Sequence, residues 1–223
     1  MTTKLMYPMM QKAARNLRAA FFVSILTLTG CTTHAALPVS ERPTNWAQPV
    51  SNPPIGLFNV YQVTPTLFRS AQPPVEGLAT FTKDQPIVLN GQTIKTLINL
   101  RAFHNDDARL SENTTLNYQH IKFNTWHAED EDVVRFLVIA TDPAQQPVLL
   151  HCQHGADRTG MMVAIYRIVV QNWDKETALA EMAQGGYGFH TIWSNLQGYI
   201  THLDVAQIKQ QVNDAKAAQQ SPH

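Results

Sequence analysis

The sequence predicts an α/β fold, a central and mostly parallel sheet flanked by helices, and three observations carry that expectation. Short apolar runs of strand length alternate with segments of helical period. The run Pro147-Val148-Leu149-Leu150 is apolar throughout, as a strand covered on both faces is. A short polar loop then leads into 161–170, which is apolar on nearly every face, as a core helix is.

Taken in order, 58–62 and 66–69 read as a short hairpin, and 94–100 and 118–123 as further strands, each bounded by polar or turn-forming residues. Helical periodicity marks 75–82, 131–141, 175–184 and 191–203. These elements fall within 57–205, about 150 residues, which suffices for one core and not comfortably for two. The preceding segment 31–56 is polar and carries Pro38, Pro43, Pro49, Pro53 and Pro54, so it reads as an extended tether. Residues 206–223 read as a polar tail. In an α/β sheet the ligand site lies at the carboxyl ends of the strands, where the loop after 147–150 falls.

That loop reads His151-Cys152-Gln153-His154-Gly155-Ala156-Asp157-Arg158-Thr159-Gly160. On a strand-loop-helix turn, successive backbone N–H groups and the unpaired N–H groups of the helix converge on one spot, and the helix dipole adds partial positive charge. An anion belongs there, and residues 153–158 are the candidate phosphate cradle: Gln153, His154, Gly155, Ala156, Asp157 and Arg158. A cysteine at the start of such a loop is a nucleophile at neutral pH. Arg158 offers a planar fork that holds two oxygens of a tetrahedral phosphate and stays charged throughout turnover. Gly155 suits a position of positive φ or close backbone approach. An inert buried cysteine would leave the glycine, the arginine and Arg158-Thr159-Gly160 unexplained. A zinc site of His151, Cys152 and His154 would crowd three ligands into four consecutive residues, so no metal is assigned.

The string resembles the signature of the bacterial cysteine-dependent dual-specificity and protein tyrosine phosphatases: His-Cys, five residues, then Arg followed by Ser or Thr. The resemblance runs over roughly 59–203, with Leu67-Phe68-Arg69-Ser70-Ala71-Gln72-Pro73, Thr96-Leu97-Ile98-Asn99-Leu100-Arg101 and Gly185-Gly186-Tyr187-Gly188 as less specific outer segments. It implies a protein tyrosine phosphatase-like fold. It also implies that Cys152 attacks phosphorus to form a phosphocysteine, that Arg158 binds phosphoryl oxygens, and that the Thr159 hydroxyl stabilises the departing thiolate. No metal or organic cofactor is implied.

In that family an Asp on a loop before the signature protonates the leaving group. Here Trp126-His127-Ala128-Glu129-Asp130-Glu131-Asp132 stands in the region, without the Trp-Pro-Asp triplet. Asp130 is the first choice, Glu129 the second and Asp132 the third, since the first two precede the expected helix. Carboxylates at a helix start also serve as caps and dipole partners. Arg69 and Arg101, each at a strand end, read as solvated or ion-paired residues and are left outside the site.

The chain begins with Lys4, Lys12, Arg15 and Arg18, then an apolar stretch 19–28, the layout of a signal peptide over 1–30. Leu28-Thr29-Gly30-Cys31 resembles a lipoprotein cleavage site, which implies lipidation at Cys31 and a periplasm-facing anchor in a bacterial envelope, with Thr32 favouring the outer membrane. The two cysteines are thereby assigned, one to lipid and one to catalysis, leaving no disulfide. The full chain carries 17 basic and 17 acidic residues; without the first thirty, which hold four of the basic and none of the acidic, the net charge is −4. That balance argues against nucleic acid as a partner.

The expected activity is hydrolysis of phosphotyrosine, with phosphoserine or phosphothreonine in second place, in phosphorylated proteins. The alternatives are an inositol phosphate or phosphoinositide phosphatase of the same mechanism and a phosphoprotein-binding module without turnover. The loop's Gln153, His154 and Asp157, in place of added Lys, lower the first, and the paired Cys152 and Arg158 lower the second. A rhodanese-type sulfurtransferase is disfavoured by Arg158-Thr159-Gly160.

Overall fold

The computed structural model describes residues 35–107, 110 and 112–220. The signal-type segment 1–30 and the lipidation expected at Cys31 lie outside the described residues.

A six-stranded sheet runs in the order Gln48–Pro49 (β1), Tyr61–Thr64 (β2), Leu67–Ser70 (β3), Val148–His151 (β8), Thr96–Asn99 (β6) and Asn117–His120 (β7). The pairs β3·β8, β6·β8 and β6·β7 are parallel, and only the edge pairs β1·β2 and β2·β3 are antiparallel. A separate hairpin, β4 (Val88–Leu89) with β5 (Gln92–Thr93), lies outside this sheet. The expected mostly parallel α/β sheet is therefore the observed one.

Every residue of β3, β6 and β8 is buried, which the period-two alternation of strands explains. Leu67, Ile98, Val148 and Leu150 point into a core with α2 (Asp130–Ala140), α3 (Asp157–Val169), α4 (Lys175–Gln184), α5 (Ser194–His202) and α6 (Val205–Gln220). Phe68, Leu97 and Leu149 point the opposite way, into a smaller core with Leu78 of α1 (Val75–Thr80) and the hairpin's Leu89. The central strands thus have apolar cover on both faces.

Two expectations need correction. The supposed tether packs against the domain: Trp46, Ala47 and Val50 are buried, Leu37 N–H donates to the Gln184 carbonyl at 2.8 Å, and β1 extends the sheet. Pro49 suits that extended edge position, where one side of the strand needs no donor. The supposed tail is α6, which buries Ile208 and Val212, one helical turn apart, against α2 and is tied to it by Lys216 Nζ donating to Thr141 Oγ1 at 2.6 Å. The apolar stripe of α6 is thin, so its composition reads as polar.

A buried ion pair fastens these pieces. Arg167 on α3 donates from Nε to Glu181 Oε2 at 2.8 Å and from Nη2 to Oε1 at 2.9 Å, both side chains being about fully buried. Glu181 Oε1 also accepts from the Ala47 backbone N–H at 2.7 Å and the Tyr187 hydroxyl at 3.3 Å, so one carboxylate ties α4 to α3, to the N-terminal segment and to the 185–188 turn. Further hydrogen bonds to a buried pair are what offset its desolvation.

Candidate active site

The parallel register aligns Ser70, Asn99 and His151 at the carboxyl ends of β3, β6 and β8. The chain leaves β8 at His151, turns through 152–156 and enters α3 at Asp157. The strand-loop-helix turn expected from the sequence is present.

The loop is shaped from outside. Gln72 N–H donates to the Gln153 carbonyl at 3.1 Å, Asn59 Nδ2 to the His154 carbonyl at 2.8 Å, and Arg69 Nη2 to the Gly155 carbonyl at 2.6 Å. Three consecutive carbonyls are thereby held toward the scaffold. Because a trans peptide sets C=O and N–H on opposite sides, the N–H groups of 154, 155 and 156 face the other way, into the loop. Gly155 makes this possible: its φ is +69°, and a Cβ there would stand 2.4 Å from the Ser70 carbonyl oxygen.

Cys152 is 2 % exposed, so its sulfur is reached only through a narrow opening. His151, fully buried, sets its Nδ1 3.2 Å from the Cys152 carbonyl. Burial pulls the His151 imidazole down to about 4, so the ring is neutral at neutral pH and donates that bond. The Thr159 hydroxyl, in the first turn of α3, is buried and without a hydrogen-bond partner. Arg158 reaches the carboxyl end of β6, where Nη1 donates to the Leu100 carbonyl at 3.3 Å.

Above the loop opens a cleft of about 410 Å³. Gln153, His154, Asp157 and Arg158 line it from the loop, and Arg101 from the end of β6. One wall is apolar: Phe103, Trp126 and Trp193 follow one another at ring-centroid distances of 6.4 Å each, beside Ile192. Phe103 is 78 % and Trp126 60 % exposed, a degree of exposure that marks a contact surface rather than a misplaced core.

The carboxylates of 129–132 are not in this cleft. Asp130 sits at the start of α2 and accepts from the Tyr199 hydroxyl and from Gln207 Nε2, the latter at 3.2 Å, so it fastens α2 to α5 and α6. Burial, then the hydrogen bond and charge of Asp130, push the Tyr199 phenol up. Asp132 is half-buried in the first turn, where burial and then Glu129 and Glu131 push its carboxyl up. Glu129, the residue before α2, is exposed and pairs with His127 at 3.3 Å on the segment that carries Trp126. The first choice for a proton donor thus lies where its side chain serves packing, and the second is exposed, three residues along the chain from Trp126, which lines the cleft. Among described residues, Asp157 is the one carboxylate lining the cleft, and it is engaged by His190, whose N–H donates to Oδ1 at 2.8 Å and whose Nδ1 lies 3.0 Å from Oδ2.

Arg69 corrects the reading of a solvated strand-end arginine. It is fully buried behind the loop, 3.8 Å over the Tyr187 ring, with Nε and Nη1 unpartnered. Burial pulls its guanidinium down, opposed by Tyr187, Glu181 and Cys152. It remains charged, because arginine does not lose its proton inside proteins. Nothing in the local pattern Leu67-Phe68-Arg69-Ser70 distinguishes it from an exposed arginine, and Asn59 and His190 carry no signal of their own either. Their roles arise from contacts across 86, 95 and 33 residues of sequence.

Comparison with known proteins accords with this geometry. Residues 66–195 match the family described as a DSP-PTPase phosphatase fused to NAD+ kinase. The chain is 34 % identical over 179 residues to the dual specificity protein phosphatase TpbA of Pseudomonas aeruginosa, covering 80 % of this chain and 76 % of that protein. A crystal structure of P. aeruginosa TpbA in complex with pTyr superposes with a TM-score of 0.59 at 31 % identity, covering 77 % of this chain and 98 % of the other. The catalytic core of the Saccharomyces cerevisiae PP-IP phosphatase SIW14 shares the fold, with a TM-score of 0.57 at 21 % identity over 73 % of this chain and 95 % of that one. The chain therefore belongs to the bacterial cysteine-dependent dual-specificity and protein tyrosine phosphatase family.

Proposed function

We propose that the protein hydrolyses phosphotyrosine in proteins, and phosphoserine or phosphothreonine more slowly, through a phosphocysteine on Cys152. The observation that carries this reading is the loop 152–158, with three N–H groups turned inward between the cysteine and Arg158. In the first step the Cys152 thiolate attacks phosphorus in line, the bond to the ester oxygen breaks, and that oxygen takes a proton. In the second a water attacks phosphorus, the carboxylate left by the first proton transfer takes a proton from that water, the S–P bond breaks, and phosphate leaves with Cys152 again a thiolate. Arg158 and the loop N–H groups hold the equatorial oxygens in both steps, where charge must be held without reorganisation. The free, buried Thr159 hydroxyl is suited to donate to the sulfur as it departs. The proton is assigned to Glu129, which is exposed three residues from the cleft-lining Trp126, because Asp130 is occupied by Tyr199 and Gln207.

The aromatic wall supports an aryl ester. A phenyl ring set against Phe103, Trp126 and Trp193 meets an offset aromatic surface, whereas a serine phosphate meets none. The names of the similar proteins agree, since TpbA is called a dual specificity protein phosphatase and has been crystallised with pTyr. Cellular placement rests on the first thirty-one residues: a signal-type segment and lipidation at Cys31 would hold the enzyme as a periplasm-facing lipoprotein, where phosphorylated envelope proteins are its substrates.

The test is hydrolysis of para-nitrophenyl phosphate and a phosphotyrosine peptide, with reductant and chelator present, beside Cys152→Ser. Activity that survives chelation and vanishes in the variant supports the reading. A folded protein that binds phosphate and turns over neither compound overturns it in favour of a binding module.

A further inference from the structure

At the mouth of the cleft three side chains converge that the phosphatase chemistry does not need. His154 and Asp157 come from the phosphate loop and His190 from the turn before α5, and one ligand atom from each lies within 4.8 Å of the other two. We propose that these three residues form a binding site for a divalent transition metal ion of the zinc class, and that the bound ion closes the catalytic cleft.

Two imidazoles and one carboxylate, with further positions left open, are a donor set that suits Zn²⁺, Co²⁺ or Ni²⁺ and not Mg²⁺ or Ca²⁺, which take oxygen ligands. The geometry is close to what coordination needs. His190 Nδ1 already stands 3.0 Å from Asp157 Oδ2, near the spacing of two ligand atoms on one tetrahedral ion with bonds of about 2.0 Å. The His154 and His190 ring centroids are 5.5 Å apart, and both rings are exposed enough to turn toward a common point.

The backbones that carry these side chains are held. The His154 carbonyl is fixed by Asn59 at 2.8 Å, and the His190 backbone N–H is fixed by Asp157 Oδ1 at 2.8 Å. Asp157 itself is 6 % exposed, so its carboxylate is already desolvated and directed at the histidine. Outer hydrogen bonds that orient ligands in this way are what metal sites rely on. This donor set is distinct from His151, Cys152 and His154: it takes one residue of that group, His154, and leaves out the nucleophile.

The consequence rests on the proposed catalytic reading. His154, Asp157 and His190 line the cleft together with Gln153 and Arg158 of the loop that follows Cys152, so an ion held among them occupies space that a bound phosphate ester needs. The enzyme is then inhibited by zinc and released by a chelator.

Binding is tested on the full chain carrying Cys152→Ser, which removes the thiolate as a competing ligand and makes the result independent of turnover. Co²⁺ is added and followed by its visible absorption, with Zn²⁺ titrated calorimetrically. The expected result is one ion per chain, with affinity lowered by more than the about 10–100-fold that loss of an outer partner costs when the ligand itself is removed by His190→Ala or His154→Ala, and circular dichroism unchanged. His190→Gln, which retains side-chain volume, guards against loss of fold. Binding that disappears with Cys152→Ser alone, or that is indifferent to both histidine replacements, overturns the site. Binding by Cys152→Ser together with wild-type turnover that zinc leaves unchanged overturns the inhibitory role alone.

Discussion

Replacing Gly155 with alanine tests how the loop is built. An added Cβ would lie 2.4 Å from the Ser70 carbonyl oxygen, 2.5 Å from its carbon and 2.7 Å from Ala71 N, all backbone atoms of the segment leaving β3. Ordinary contact begins at 3.4 Å, so the loop must retreat by about 1 Å. The residue also has φ +69°, which costs an L-residue roughly 1–2 kcal/mol. A displacement of about 1 Å in a group that positions substrate is worth about 100-fold in rate. Gly155→Ala is therefore expected to lower kcat/KM on para-nitrophenyl phosphate about 100-fold. With about 2–4 kcal/mol of strain and steric cost, the Tm should fall by about 5–15 °C. Gly91→Ala is the control: it shares positive φ, at +76°, but has nothing within 4 Å, so it carries the strain without the collision. It should lose about 1 kcal/mol and no activity. A folded Gly155→Ala enzyme with kcat/KM within about threefold of wild type would refute the argument that the glycine sets the loop.

Glu181→Ala leaves Arg167 buried and uncompensated and frees Ala47 N–H, so it should cost about 3–5 kcal/mol in a denaturant titration; a loss under about 1 kcal/mol would mean the pair does not lock α3 to α4. Glu129→Gln is expected to lower kcat about 100-fold on alkyl phosphates and less on para-nitrophenyl phosphate, while Asp130→Asn lowers the Tm and changes kcat by less than about threefold; the reverse pattern would reinstate Asp130 as the acid. Phe103→Ala and Trp126→Ala should each raise KM for a phosphotyrosine peptide about 3–10-fold and leave the inhibition constant of inorganic phosphate unchanged, read from steady-state kinetics. Stability should also fall as the pH drops from 6.5 toward 4. In that window the unfolded chain protonates His151 and the native state, whose imidazole is pulled to about 4 by burial, does not, so the contribution is whole above 6.5 and lost on acidification. His151→Gln should flatten that part of the thermal melting profile.

The parts of the fold that a local pattern encodes were legible. The apolar run 147–150 with the core helix behind it, and the strand 94–100, needed only periodicity, and they place the loop. The helix 175–184 carries its own start signal in Asp174, which accepts from Thr177 N–H at 2.7 Å. What was hidden depends on partners distant in sequence. Residues 37–50 are polar and proline-rich, and only the contacts of Trp46, Ala47 and Val50 with the domain make them structured. The α6 stripe of Ile208 and Val212 is too sparse to outweigh its glutamines and lysines. In the site, the cysteine, the arginine and the glycine stand together in ten residues and were read directly. Arg69, Asn59 and His190 are ordinary surface residues by type, and the fold alone brings them to the loop. Asp130 was the converse, a carboxylate at the expected place whose side chain the packing of α5 and α6 turns to another use.

The central claim is that Cys152 carries the phosphoryl group, and trapping that group tests it most directly. Enzyme turning over para-nitrophenyl phosphate is quenched in acid, digested, and the peptide containing Cys152 examined by mass spectrometry. The expected result is a phosphorylated Cys152 peptide in the wild type, more of it in Thr159→Ala, where departure of the thiolate is slowed, and none in Cys152→Ser. Turnover that persists in Cys152→Ser, or a phosphoryl group found on another residue, would contradict it.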